Sequence, residues 1–344
     1  MTSNAMNQGG KFLAAGLIAA IFLMACITSA AAMDKIAVGA LRFTSHAATF
    51  VAYERGYFKA EGLDVDIKFF QAAQPIAVAI ASGDVDFGIA PISGGLINLA
   101  EKKAIKVIGG VLHEEPGIDG QMILASKKAY DAGLTSPAEL KGKTFGITHA
   151  GSSFHYVAHK IADKEGFARS EIKVKPLQKV GVIIGALKSG QIDSWSIVPH
   201  IAKALAKGPN VEVIGRVSDY IPDYQVTTVF TSAKNAAGKK ELVSRFLAAF
   251  SRGADDFNAA LVDKTAGDAA AEEMIKLIHK YVYVDRPYEK AAPSIRNGAM
   301  RLNKDARLNI TSVEDQLSWF KSEKLVSESA SIDQLVDPSF AETY

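Results

Sequence analysis

Thiols are almost missing from this chain: one cysteine, Cys26, stands among 344 residues. A lone cysteine forms no internal disulfide and no cysteine-rich metal cluster, so both kinds of scaffold are excluded. Charge imbalance is missing too, since 39 lysines and arginines face 37 acids for a formal net charge of +2. The basic residues are scattered among the acids, and neither nucleic acid nor an anionic membrane surface is expected as a partner. Long apolar runs are scarce as well. The one present, residues 12–27, is shorter than the ~20 residues a spanning helix needs, which argues against an integral membrane protein.

What is there begins with that run. Lys11 precedes it, and Ser29, Ala30, Ala31 and Ala32 follow it. Charge, apolar stretch and Ala-x-Ala site in that order predict a secretory signal peptide over residues 1–32, with Met33 first in the mature chain and a periplasmic destination. Leu23-Met24-Ala25-Cys26 partly matches a lipoprotein cleavage box, but its methionine departs from that pattern, and the alanine site downstream is the better processing signal. Cleavage after Ala32 leaves no thiol at all. The remaining chain is long enough for roughly two domains with real cores.

Two stretches resemble each other. "ASGDVDFGIAP" (81–91) and "KSGQIDSWSIVP" (188–199) each place Ser-Gly before an apolar residue, an aspartate, a short apolar strand and a proline. Asp86 and Asp193 are 107 residues apart, and the same offset relates Gly39 to Gly146 and Ser45 to Ser152. Matches at one spacing predict two similar units. Each unit alternates strands with helices, the pattern of a doubly wound α/β lobe with a sheet covered on both faces. Within the second, Phe154, Val157, Ala158 and Ile161 recur at helical spacing and Gly166 ends the helix. Strands are also expected in "VEVIGRVSDY" and "YQVTTVFTS". Beyond Lys239 the chain turns helical, with Leu242, Phe246, Phe250 and Phe257 on one apolar stripe. Further helices are expected near 270–283 and 313–326. The predicted organisation is lobe 1 over 33–119 plus 233–344 and lobe 2 over 120–232, joined by a hinge.

A cleft between such lobes is lined by the loops that follow the strands. Those loops are 42–46, 71–75, 91–95, 148–155, 179–182 and 195–200. "HAGSSFHY" (149–156) fills one of them and runs into a helix. Ser152 and Ser153 there are either N-caps or hydrogen-bond donors to an anion at a helix start, and both roles are compatible. A nucleophilic serine is disfavoured, because the stretch lacks the Gly-x-Ser-x-Gly elbow. His155 and His159 are spaced to share a metal, yet "HYVAH" lacks the glutamate of His-Glu-x-x-His, and His159 is expected to face solvent. No metal and no cofactor are expected. In the loop "LRFTSHAA", Arg42 pairs with a carboxylate or lies on the rim, and Ser45 and His46 stand at a helix entrance. Ser93 with Gly94 opens another helix, Gln74 adds a neutral amide, and Gly181 lies in the loop 179–182. Phe43, Phe154, Trp195 and Tyr220 supply rings that could stack on a planar or apolar ligand body.

Taken together, "FVAYERGYFKAEGLDVDI", "ASGDVDFGIA", "ELKGKTFGITHAGSSFHY" and "LKSGQIDSWSIVP" resemble the substrate-binding proteins of ABC importers in the nitrate, sulfonate and taurine group, which includes binders of thiamine-pyrimidine precursors. The resemblance covers about residues 35–260. It implies a type II periplasmic binding fold, a monomer that closes on one small organic anion and hands it to an ABC permease of the inner membrane. By the family pattern the ligand shell draws on Ser45, Gln74, Ser93, Ser152, Ser153 and His155. Ile197 and Val198 stand before Pro199, where sulfonate and taurine binders often carry an aromatic and an acid. That departure speaks against an ammonium-bearing ligand and for an apolar or aromatic body. A neutral pyrimidine is the rival ligand, and a hydrolase or metalloenzyme using Ser152 and His155 is the rival class. The cysteine-rich iron motif of the pyrimidine-forming fungal relatives is absent.

Overall fold

The structure is a computed structural model that describes residues 32–344. The readings of a signal peptide and of Cys26 therefore fall outside the described residues. Ten strands form two sheets. The first contains β1 (Asp34–Ala40), β2 (Leu63–Phe69), β3 (Phe87–Ala90), β4 (Ile105–His113) and β10 (Gln225–Ser232) in the order β2-β1-β3-β10-β4. The second contains β5 (Met122–Ser126), β6 (Thr144–Ile147), β7 (Lys173–Pro176), β8 (Ser194–Ile197) and β9 (Val211–Arg216) in the order β7-β6-β8-β5-β9.

The two sheets have one plan. β1 runs parallel to β2 and β3, and β10 enters antiparallel between β3 and β4. In the second, β6 runs parallel to β7 and β8, and β5 enters antiparallel between β8 and β9. The antiparallel strand of each sheet arrives directly after a crossover from the other lobe. The sheets are thus mixed rather than purely parallel. The lobe boundary moves as a result: β10, which the sequence reading assigned to lobe 2 over 120–232, lies in the first sheet, because it pairs with β3 and β4.

The sequence repeat is a repeat of structural roles. Asp86 accepts from the backbone N–H of Ala37 at 2.9 Å, and Asp193 accepts from that of Thr144 at 2.7 Å, the same offset again. Each aspartate ties the start of its strand to the first strand of its unit. A Cβ on Gly39 would come within 2.8 Å of Ile76, and one on Gly146 within 2.9 Å of Ile183. Only glycine lets the helices Ala73–Ser82 and Val180–Lys188, which follow β2 and β7, settle this close to the sheets.

Apolar burial holds each layer together. The helix Ser153–Glu165 buries Val157, Ala158 and Ile161 and stops at Gly166, which takes a left-handed φ of 76°. The long helix Lys240–Phe257 buries its phenylalanine stripe against the first lobe, with Phe246 stacked 3.9 Å from Phe87 and 5.4 Å from Phe58. Helices Gly267–His279 and Ile310–Ser322 fall near their expected places, and Tyr288–Arg296 adds one that the sequence reading did not mark. No helix among the described residues is long and apolar enough to cross a membrane.

The lobes are closed on one another. Gly94 N–H donates to the Gly151 carbonyl at 3.0 Å. Thr44 Oγ1 lies 2.8 Å from His200 Nδ1, and Tyr283 donates its hydroxyl to the His200 carbonyl at 2.9 Å. Tyr156 also bonds Asp315, and Arg169 reaches Glu323 at 2.7 Å.

Candidate functional site

Between the closed lobes lies a cavity that leaves about 50 Å³ for the centres of water-sized molecules. Its wall is built by strands and their ends: Ser45 and His46 after β1, Ser93 after β3, Thr148, His149, Ser152, Ser153 and Phe154 after β6, Gln121 on the first crossover just before β5, and Thr227 within β10. Leu41, Pro91, Ile92, Val180 and Val226 complete it with apolar surface. No lysine, arginine, aspartate or glutamate contributes.

The polar groups of this wall are neutral. Burial pushes the His46 imidazole down to about 3, and burial likewise lowers His149. His46 Nδ1 accepts from the Leu41 N–H at 3.3 Å, so the proton of the neutral ring sits on Nε2. That Nε2 is buried without a protein partner, and so are His149 Nε2, Ser152 Oγ and Thr227 Oγ1. Two of the four come from each lobe. Leaving a buried polar group unmatched costs about 1–3 kcal/mol, and four such groups belong to residues of this one wall.

Ser152 decides between its two expected roles. It occupies the N-cap position of the helix Ser153–Glu165, yet its side chain makes no capping bond, and the residue is 3% exposed. Its hydroxyl therefore has no protein partner, and it stands at the positive end of a helix dipole. Ser93 is the opposite case, because its hydroxyl caps Leu96 N–H at 3.2 Å and donates to Gln74 Oε1 at 3.0 Å.

Beneath the cavity, the first crossover holds a buried carboxyl. Glu114 accepts from the Gln121 backbone N–H at 3.0 Å and from its side-chain amide at 3.3 Å. Gln121 in turn lines the cavity, so Glu114 positions a wall residue. Burial pushes the Glu114 carboxyl up to about 7 from 4.5. Its contribution to stability is fully present below pH 4.5 and is lost as pH rises through 7. Glu114→Gln is expected to be more stable than the parent by up to about 3 kcal/mol at pH 8.5 and equal to it near pH 4.5. Urea denaturation at the two pH values checks this; a difference independent of pH would contradict it.

With this geometry in place, comparison with known proteins adds the lineage. The family profile described as NMT1/THI5 like matches residues 43–260. The chain belongs to the NMT1/THI5-like family. A Brucella abortus (strain 2308) chain described as a candidate binding protein is 25% identical over 240 residues, 69% of this chain and 68% of that one. The ligand-binding component of an ABC-type import system from Staphylococcus aureus, solved with zinc bound, matches with a TM-score of 0.70 at 15% identity, covering 90% of this chain and 98% of that one. The alkanesulfonate-binding protein SsuA from Xanthomonas axonopodis pv. citri, bound to MOPS, matches at 0.69 and 16% identity over 91% and 100%. This NMT1/THI5-like chain thus has the periplasmic binding protein fold that its motifs implied.

The structure brings Phe43, Ser45, His46, Ser93, Ser152, Ser153 and Phe154 of the expected set to the cavity wall. Seven other expected residues lie elsewhere. Arg42 is exposed on the rim, 3.8 Å over the Phe69 ring, with Nη1 donating to the Tyr281 carbonyl. Gln74 is turned to Ser93 and over Gly95, whose missing Cβ would overlap its amide. The Gly94 N–H is spent on the Gly151 carbonyl of the other lobe. Gly181 is exposed, with nothing within 4 Å of where its Cβ would be. Trp195 is fully buried behind Phe154, its ring 5.5 Å away edge-on. Tyr220 lies outside the cleft, where its hydroxyl donates to Glu165.

His155 also stands behind the wall. Its Nδ1 accepts from Gly151 N–H at 3.1 Å, and its Nε2 is 3.0 Å from His159 Nε2. Both nitrogens are engaged, so His155 is not placed to take a proton from Ser152. His159, expected to face solvent, is instead buried against His155 and Trp319, 3.5 Å from the Glu323 carboxylate. Helix Ile310–Ser322 covers the face that the apolar spacing left polar. No group of three His, Cys, Asp or Glu side chains suited to a metal occurs among the described residues.

Gln121, Thr148, His149 and Thr227 were not singled out in the sequence. Thr148 and His149 fall in a loop marked for the cleft, but nothing in their spacing set them apart. Thr227 sits where the register of β10 against β4 breaks on both sides of it. Such irregularities re-aim side chains near sites and leave no mark in the hydrophobic pattern.

Proposed function

We propose that this chain is the solute-binding protein of an ABC importer, and that it captures a small organic oxyanion, a sulfonate or carboxylate with a short apolar body, without altering it. One observation carries the reading. Four buried, unpartnered polar atoms, His46 Nε2, His149 Nε2, Ser152 Oγ and Thr227 Oγ1, belong to one cavity wall and come equally from both lobes.

Neutral donors suit a buried anion, because they supply hydrogen bonds without the cost of desolvating a lysine or arginine. The Ser152 helix start adds its dipole. A ligand held from both lobes stabilises the closed form by the contacts it makes only there. The apolar residues Leu41, Ile92, Val180 and Val226 fit a short aliphatic portion, while Phe43 and Phe154 are the two rings left at the wall. The S. aureus and X. axonopodis structures support the transport role and the anion chemistry, respectively.

A thermal-shift panel tests the reading with short alkanesulfonates, short carboxylates, nitrate, aromatic carboxylates and pyrimidines. A short organic anion at a hundredfold excess over its dissociation constant is expected to raise Tm by on the order of 5 °C. Aromatic carboxylates should do less in so small a cavity. A shift confined to the pyrimidines would replace the anion with a neutral heterocycle.

A further inference from the structure

The cleft has a second compartment. Outside the inner cavity lies a larger chamber of about 380 Å³, and Phe43 and Val180 belong to the walls of both. Phe43 comes from the first lobe and Val180 from the second, so these two side chains form the partition when the lobes close.

The outer wall differs in charge from the inner one. Arg42, Lys188 and Arg286 stand on it, each exposed, and no aspartate or glutamate does. Ile184, Ile201 and Leu205 give it an apolar floor. Both guanidinium groups are held in place: Arg42 lies over Phe69 at 3.8 Å, and Arg286 lies over Tyr283 at 4.2 Å. Arg42 spends one N–H on the Tyr281 carbonyl, at 3.1 Å, out of the five a guanidinium carries.

We propose that this chamber is a second anion site, an antechamber that holds a small oxyanion of the sulfate, sulfonate or carboxylate class through Arg42 and Arg286 of the first lobe and Lys188 of the second. Passage of the anion inward rests on the proposed function; occupation of the chamber does not. The arrangement divides the work by solvation. Exposed cations attract an anion while it is still hydrated, which favours fast, salt-sensitive capture over affinity. The neutral inner wall then takes it where a charged side chain would be costly to bury. An anion touching Arg42 and Lys188 together also draws the two lobes toward each other.

The test replaces sodium chloride with sodium sulfate at constant ionic strength and follows the Nε–H resonances of Arg42 and Arg286 by NMR. Saturable shifts are expected with sulfate in the parent protein, and Lys188→Gln should raise the midpoint about threefold, the effect of losing one exposed ion contact. The Ser152→Ala/Thr227→Val variant, altered only in the inner cavity, should give the same curves as the parent. Shifts that never saturate and that chloride reproduces would mean screening only and would overturn the proposal. Saturable shifts that vanish in the inner-cavity variant would also overturn it, by assigning the signal to the inner site. A failure of the inner cavity to bind any anion would leave the sulfate curves at Arg42 and Arg286 unaffected.

Discussion

Between pH 7 and pH 5 the protein is expected to lose about 4 kcal/mol of stability to two histidines alone, a large share of the 5–15 kcal/mol that a folded domain commonly has. Burial pushes His46 down to about 3, and burial together with the neighbouring His46 does the same to His200, against 6.5 for a free imidazole. The unfolded chain takes up protons on both rings as pH falls below 6.5, while the folded chain does not until about 3. Stability present above pH 6.5 is therefore lost through that window, at about 1.4 kcal/mol per pH unit per ring. His155, lowered to about 4 by burial and by His159, adds to the same slope. Denaturation curves of the parent and of His46→Gln/His200→Gln check this. The double variant should lose far less between pH 7 and pH 5, and parallel curves would show that these rings are not buried neutral. His200 sits in the seam between lobes, bonded to Thr44, so opening the cleft rehydrates it. Mild acid is thus expected to open the cleft before it unfolds the chain.

The second large effect concerns the ligand. Ser152→Ala combined with Thr227→Val removes one unpartnered donor from each lobe while changing little volume. Hydrogen bonds to a charged group contribute about 1.5–3 kcal/mol each, so a bound organic anion should weaken by a hundredfold or more. The melting temperature of the unliganded variant should stay at or above that of the parent, because neither hydroxyl has a protein partner to lose. Calorimetry with the best anion of the panel reads the first effect and a thermal scan the second. Unchanged affinity would remove these hydroxyls from the site, and a melting temperature several degrees lower would show that they serve the fold.

Much of this architecture was legible in the sequence because it is repeated. Asp86 with Asp193 and Gly39 with Gly146 carry the same backbone duties in each lobe, and those duties admit few other residues. Loops after strands could be located from the alternation of patterns, and five of the six marked for the cleft reach the inner cavity; the sixth reaches the outer chamber through His200. What escaped was information that spacing does not hold. β10 crosses back into the first sheet, and a one-dimensional pattern does not say which sheet a strand joins. Trp195 lies on a strand inside the sheet, so its ring supports Phe154 from behind instead of facing the cleft. Ser93 and Ser152 look equivalent in sequence, each a serine at a helix start beside glycine. Only the capping geometry separates them, since Ser93 closes on its own helix and Ser152 does not.

The account stands on uncharged groups holding a negative solute that leaves as it came. Native mass spectrometry of protein purified from its own host, beside the Ser152→Ala/Thr227→Val variant prepared in the same way, measures this most directly. One small organic anion per chain is expected on the parent, released on denaturation with its mass intact, and absent or sharply depleted on the variant. A zinc adduct in its place, a released molecule chemically converted by the protein, or equal occupancy of both proteins would contradict it.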